Sequence, residues 1–341
     1  MVHAELCGDP NAWDSYVESH PGAANYHRWC WRRVIEQTFG HEAYYFNALK
    51  DGALQGVLPL FFIRSRLFGN SLVSVPFFSY GGILASSAEA CDALLNRAED
   101  LAEHLGARHI ELRQGHELAC SWQPMSTKVT MQISLPSSPD ELWKRFSTGL
   151  RNKIRKSQKS NFRIEWGGAE AVGSFYKVFS ANMRNLGTPV YPRKWFEAIC
   201  EHAPGKIHIV GLWDEDRIVA SAFLSANGET LELPWSASLP DTRKKYSHYL
   251  MYWTFMEWAI QHGFRLLDLG RCTPGTGTYE FKRHWVCNEL PLDWYYWVAP
   301  GSEFPTVNTH NPRYQFAIEM WKRLPLVVAN QLGPRIVRGL P

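Results

Sequence analysis

The chain has 341 residues, 45% hydrophobic and 20% charged, with a formal net charge of +3. These are globular values with room for two ordinary domains, and they exclude both a disordered chain and a polycation. Its 15 Trp, 14 Tyr and 18 Phe are a surplus that can fill a core or line a groove for a large ligand.

In chain order, the apolar periodicity and turn residues predict helices near 12–19 and 26–38, then strands near 43–50 and 54–63. Further strands are expected near 71–76 and 81–84, a helix over 88–105 and a strand over 108–112. Ser138, Pro139 and Glu141 mark a helix start, with a serine cap and proline in the first turn. The following basic run extends that helix to about residue 160. Beyond it come a strand at 162–167, helices near 170–185 and 192–202, and strands near 206–213, 217–226 and 229–236. A long helix over 245–262 and strands at 265–269 and 292–298 follow. From Pro312 a terminal helix is expected, broken by Pro325 and Pro334.

An internal match organises these elements. Residues 102–112 (AEHLGARHIEL) align with 259–269 (AIQHGFRLLDL), sharing Gly106/Gly263, Arg108/Arg265, Leu112/Leu269 and an acid at Glu111/Asp268. Upstream of each copy stands a hairpin turn, at Asp51-Gly52 and at 214–216. Two motifs in the same order predict two copies of one α/β domain, each a mixed sheet flanked by helices. The expected boundaries are 1–136 for the first domain, 137–160 for a basic connecting helix, 161–300 for the second domain and 301–341 for a helical tail.

The connecting helix carries Lys144, Arg145, Arg151, Lys153, Arg155, Lys156, Lys159 and Arg163 with no acid among them, so the rest of the chain is net acidic. On one helical wheel Lys144, Arg151, Arg155 and Lys159 share a sector of about 80° opposite Leu142, Phe146, Leu150 and Ile154. Such a stripe is either a solvated face or a phosphate-binding surface. The densest chemical signal is 266–285, LLDLGRCTPGTGTYEFKRHW. It is an apolar strand followed by a glycine-containing loop, a setting in which side chains are aimed into a cleft. It lacks the P-loop pattern. Asp268 is read as a general base or as a buried partner of Arg271 or Arg265. Lys282 is read as a catalytic cation or a snorkelling lysine, and His284 as a surface residue. A catalytic Lys282 should face open space, whereas a binding module could bury it in an ion pair.

Seven scattered Cys without a Cys-x-x-Cys pair suit neither a disulfide framework nor a zinc site and point to a reducing compartment. No His-Glu-x-x-His motif or close His/Cys/Asp cluster suggests a metal, and no Gly-x-Ser-x-Gly elbow is present. The N-terminal residues lack a secretory pattern, and the most apolar stretch, 71–85, is too short to span a bilayer. The expectation is a soluble cytoplasmic protein. Its terminal segment, with Trp321, Lys322, Arg323, Arg335 and Arg338 among Leu, Ile and Val, either packs on the body or touches the cytoplasmic face of the membrane.

Two tandem α/β halves, a basic helix between them and Phe-Lys-x-x-Trp after Asp-x-Gly-Arg resemble the FemAB-type transferases of the GNAT superfamily. The strings GVLPL (56–60), SVPFFSYGG (74–82), RNKIRKS (151–157), NMRNLGTPVYP (182–192), DLGRCTPGTGTYEFKRHW (268–285) and WKRLPL (321–326) are similar to the subgroup associated with exosortase/PEP-CTERM and exopolysaccharide systems. The resemblance runs over nearly the whole chain. It implies a tandem GNAT-like fold and transfer of an aminoacyl group from aminoacyl-tRNA to an amine of a cell-envelope, peptidoglycan or exopolysaccharide precursor. Lys282 would stabilise the oxyanion, with Asp268 as a weaker candidate for the base. Arg151, Arg155, Lys156 and Lys159 would hold phosphate of a tRNA, a phosphate-bearing saccharide or a lipid-linked precursor. Arg271, Tyr279, Phe281 and Trp285 would shape the cleft, and Arg184 and Tyr191 complete the substrate-binding set. No tightly bound cofactor or metal is implied. Val286 stands where many relatives have Gly. The GNAT pyrophosphate signature is missing before the helix at 245–262, where DTRKKYSHYL has no Gly. That favours a donor other than acyl-CoA, although Arg243, Lys244 and Lys245 could bind phosphate through their side chains. The alternatives are an acyl-CoA-dependent N-acyltransferase and a non-catalytic module binding a glycan or lipid precursor.

Overall fold

The computed structural model describes residues 1–65, 68–115, 117–203, 206–305 and 312–340. The chain divides into two compact units, 1–128 with 291–308 and 338–341, and 129–290 with 309–337. Part of the expected tail, 301–341, lies outside the described residues.

The first unit is built from β1 (Val2–Leu6), α1 (Pro10–Ser19), α2 (Cys30–Phe39), β2 (Glu42–Lys50), β3 (Ala53–Ser65), β4 (Gly69–Val73), β5 (Leu84–Ala85), α3 (Ala88–Leu105) and β6 (His109–Arg113). The next strand, β7 (Gln123–Ser134), leads into the second unit. That unit continues with α4 (Pro139–Arg145), α5 (Thr148–Gln158), β8 (Arg163–Gly167), α6 (Val172–Leu186), α7 (Arg193–His202), β9 (Ile207–Asp214), β10 (Arg217–Asn227) and β11 (Thr230–Ser238). It then adds α8 (Ser247–Gln261), β12 (Leu266–Cys272) and α9 (Gly277–Arg283). Then come β13 (Asn288–Val298), α10 (Pro312–Arg323) and α11 (Leu326–Val337).

The repeat read from the sequence is a repeat of topology. In the first unit β1, β2, β3 and β4 run antiparallel in order, and β4 pairs parallel with β6 after the α3 crossover. In the second, β8, β9, β10 and β11 do the same, and β11 pairs parallel with β12 after α8. Each parallel strand then takes an antiparallel neighbour, β13 beside β6 and β7 beside β12. The aligned glycines stop the crossover helices by adopting left-handed backbone, φ 64 at Gly106 and 82 at Gly263. The aligned acids occupy equivalent rungs, Glu111 opposite Val73 and Asp268 opposite Glu232.

The aromatic surplus goes largely into the core. On one face of the second sheet, Phe175, Phe179, Tyr191, Trp195, Phe196, Phe223 and Trp235 pack edge-on and stacked beneath α6 and α7. On the other face lies α8, a helix buried on nearly all sides between the sheet and α4–α5.

Several expectations change. The single basic helix is two helices, both in the second unit. Phe146 leaves helical geometry (ψ 146), and Ser147 starts a new helix by accepting the Leu150 N–H at 3.2 Å. Pro325 does part α10 from α11, but Pro334 sits inside α11 without breaking it. Strands β1 and β7 and helix α9 were not anticipated.

Candidate active site

The site grows from the end of β12. This strand pairs with β11 only over 230–232 and 266–268, although both strands run on. Against β7 it carries a bulge: Asp268 faces Gln132 and Arg271 faces Thr130, three steps against two. Gly270 absorbs the bulge at φ 75, where a Cβ would also meet the Leu233 carbonyl oxygen at 3.1 Å. Asp268 clamps it. Its carboxylate accepts from Thr130 Oγ1 and from the Gly270 N–H, each at 2.7 Å, and from Gln132 Nε2 at 3.1 Å. At 3% exposure, with these donors engaged, Asp268 is placed to hold the strand end.

The loop after β12 turns back through Thr276, whose hydroxyl donates to the Thr273 carbonyl and caps α9 by accepting the Tyr279 N–H. One face of α9 thereby points at the bulge. Lys282 Nζ donates to the carbonyl oxygens of Gly270 at 2.8 Å and Arg271 at 3.1 Å. The residue is 5% exposed. It therefore neither faces open space nor donates to a carboxylate. Burial pulls its pKa down, with Cys272 and Asp268 nearby pulling the other way.

The neighbouring candidates divide. Phe281 is half-buried among His248, Tyr249 and Tyr252. Trp285 is fully buried, stacked on Tyr252 at 5.3 Å with Phe146 edge-on at 5.6 Å, so it is a core residue and not a cleft wall. Tyr279 donates to Glu289, which pushes its pKa up, and Arg283 lies over its ring and beside Glu289, fastening α9 from outside. Arg271 is half-buried and contributes its carbonyl to Lys282.

Because the chain breaks at Phe146, Lys144 leaves the predicted stripe. On α5, Leu150 and Ile154 face the core beside α8, while Arg155, Lys156 and Lys159 are exposed. Arg155 rests over Trp143, and Arg151 is half-buried with Nε lacking a hydrogen-bond partner among the described residues. Lys153, not picked out from the basic run, is linked to Phe281 through Tyr249. Its Nζ donates to Tyr249 Oη at 3.0 Å, and the Tyr249 ring packs against Phe281. Helix α8 starts there, behind Tyr246 in left-handed geometry (φ 55), with Arg243 and Lys244 exposed and Lys245 paired to Asp214. His248, also unforeseen, is brought to about 4 by burial and by Arg243 and Lys153. Its Nδ1 is buried with no partner among the described residues. Only the whole fold brings these groups together, because 153, 248 and 281 are remote in sequence.

Arg184 and Tyr191 belong elsewhere. Arg184 donates to the Lys322 carbonyl at 3.2 Å, a favourable place for a cation at the end of α10. Tyr191 sits in the aromatic core beneath α7. A cleft of about 540 Å³ opens over the β8–β9–β10 edge, lined by Glu165, Glu170, Phe175 and Trp213 among others, and contains no predicted site residue. Among the described residues no three His, Cys, Asp or Glu form a group able to hold a metal ion.

The same place in the first unit is closed. Segment 74–83 stays stitched to β6 through Ser74, Gly82 and Ile83, with the Gln114 side chain bonding both the N–H and the carbonyl of Ile83. A Cβ on Gly82 would collide with Gln114. Arg113 pairs with Glu111 at 2.7 Å and donates to the Phe78 carbonyl at 2.8 Å, both side chains buried. The string SVPFFSYGG is therefore a plug at this place in the first copy.

Residues 144–283 match the family described as Acetyltransferase (GNAT) domain. No curated protein matches the chain. Among solved structures, FemX is similar with a TM-score of 0.65 at 16% identity, covering 93% of this chain and all of FemX. The L-PGS of Bacillus licheniformis has a TM-score of 0.56 at 11% identity, covering 93% and 98% of the two chains. A tandem GNAT protein from the clavulanic acid biosynthesis pathway has 0.53 at 10%, covering 89% and 99%. The chain is thus a tandem GNAT-like fold, and the match to the GNAT acetyltransferase domain falls within its second copy.

Proposed function

We propose that this protein is an acyltransferase forming an amide, with aminoacyl-tRNA as donor and an amine of a cell-envelope, peptidoglycan or exopolysaccharide precursor as acceptor. The amine attacks the ester carbonyl, the C–N bond forms, the C–O bond breaks, and the proton lost by the amine passes to the departing oxygen, which leaves as a hydroxyl. The observation that carries this reading is Lys282, a buried ammonium tethered to two carbonyls at a strand bulge within the acetyltransferase domain. An ammonium has three N–H bonds. Two are engaged, and the third serves the oxyanion, where a fixed cation away from water acts most strongly. Asp268 acts by positioning, through the bulge. Arg151, Arg155, Lys156 and Lys159, with Lys153 beside them on α5, hold donor phosphate.

A second donor, acyl-CoA, is favoured by the start of α8, where Arg243, Lys244 and Lys153 surround a helix N-terminus. Calorimetric titration with acetyl-CoA, CoA and aminoacyl-tRNA separates the two donors. Transfer assays with the donor that binds, using amine-bearing precursors, test the chemistry. Transfer from neither donor by folded protein would overturn the enzyme reading in favour of a precursor-binding module.

A further inference from the structure

Helices α10 and α11 both rest against α6. Their inner contacts are close. At Gly187 (φ 78), which ends α6, a Cβ would meet the Ile318 carbonyl at 3.0 Å and Lys322 at 3.3 Å. At Gly333 a Cβ would lie 2.8 Å from the Val190 nitrogen. Ala329, Gly333 and Val337, spaced by four, form the buried side of α11.

A different set of residues faces out. Phe316 and Val327 are each 69% exposed, and Met320, Val328, Leu332 and Ile336 are also open to solvent. Phe316 and Met320 share one face of α10, and Val328, Leu332 and Ile336 share one stripe of α11. So much apolar surface beyond what packing uses marks an interaction face. Its charge names the partner. Arg323 lies three residues beyond Met320 and Arg335 three beyond Leu332, both exposed, while Glu319, the one acid of 315–337, is paired with Lys322 at 2.7 Å. A second copy would set these cations against themselves. A bilayer with anionic headgroups offers both an apolar layer and opposite charge.

We propose that the outward faces of α10 and α11 dock the protein on an anionic lipid surface. This goes beyond the acyl-transfer reading and does not depend on it.

The test is co-sedimentation of the full chain, without substrates, on phosphatidylcholine vesicles and on vesicles mixed with phosphatidylglycerol. The mixed vesicles should bind about thirtyfold more tightly, as two uncompensated cations near the surface imply, and less so at high salt. Phe316→Asp with Val327→Asp should abolish sedimentation, and Arg323→Gln with Arg335→Gln should remove the lipid preference. Circular dichroism and thermal unfolding check that both variants are folded. Equal or absent binding to the two vesicle types would overturn the proposal. So would a dimer by light scattering that Phe316→Asp converts to monomer, since the face would then join copies of this chain.

Discussion

At the residue scale, burial lowers the pKa of both Lys282 and His248. Lys282 donates to two carbonyls near Asp268, and burial holds its pKa below the ordinary 10.5. Activity that needs its ammonium should therefore fall on the alkaline side before pH 10.5, which a pH profile of kcat would reveal. Lys282→Met should lower kcat by about 10²–10³-fold, as for loss of one oxyanion donor, with a stability loss of about 1–3 kcal/mol from the carbonyls it leaves without a donor. Turnover near that of the unaltered protein would remove Lys282 from the chemistry. His248 and His41 are both brought to about 4, chiefly by burial. Their depressed values mean that the folded state prefers them neutral. The stability they support is full above pH 6.5 and is lost as pH falls through 4. Denaturant midpoints measured across that window should drop, by about 1–3 kcal/mol per buried histidine, and His248→Gln should shallow the slope.

At the element scale, the bulge in β12 and the clasp on α6 decide what the helices can do. Gly270→Ala would place a side chain in left-handed backbone against the Leu233 carbonyl. It should destabilise the fold by about 1–2 kcal/mol and reduce kcat, because the Gly270 carbonyl is one of the tethers of Lys282. Denaturation and single-turnover kinetics on the same variant would couple the two effects. A stability loss with unchanged kcat would separate bulge from chemistry. Most elements were legible as periodic apolar runs. Strand β7 also had its pattern, with Met131 and Ile133 alternating inward and Leu135 continuing it past the strand end, but the polar 123–128 masked it. Helix α9, at seven residues, is too short to display a period. The break between α4 and α5 was written in Ser147, an N-cap inside a run whose charge suggested continuity.

At the scale of the whole molecule, duplication yields one plugged copy and one bearing the candidate site. Arg113→Met would leave Glu111 buried and uncompensated, at a cost of about 3–5 kcal/mol. Chemical denaturation should show the first unit losing its stability, while the Lys282 environment, built wholly from the second unit, keeps its contacts. A loss below 1 kcal/mol would contradict the plug as a structural keystone.

The sequence by itself determined the fold class and the repeated topology. Helix stops, hairpin turns and strand periods are local, and two copies reinforce each other. Only the tertiary structure decided that segment 74–83 packs against the end of β6 in the first copy, that Trp285 is buried in the core, and that His248 and, through Tyr249, Lys153 meet Phe281. Those outcomes depend on which side of a sheet a residue faces and on what a distant segment brings against it. A helical wheel drawn through Phe146 could not report that geometry.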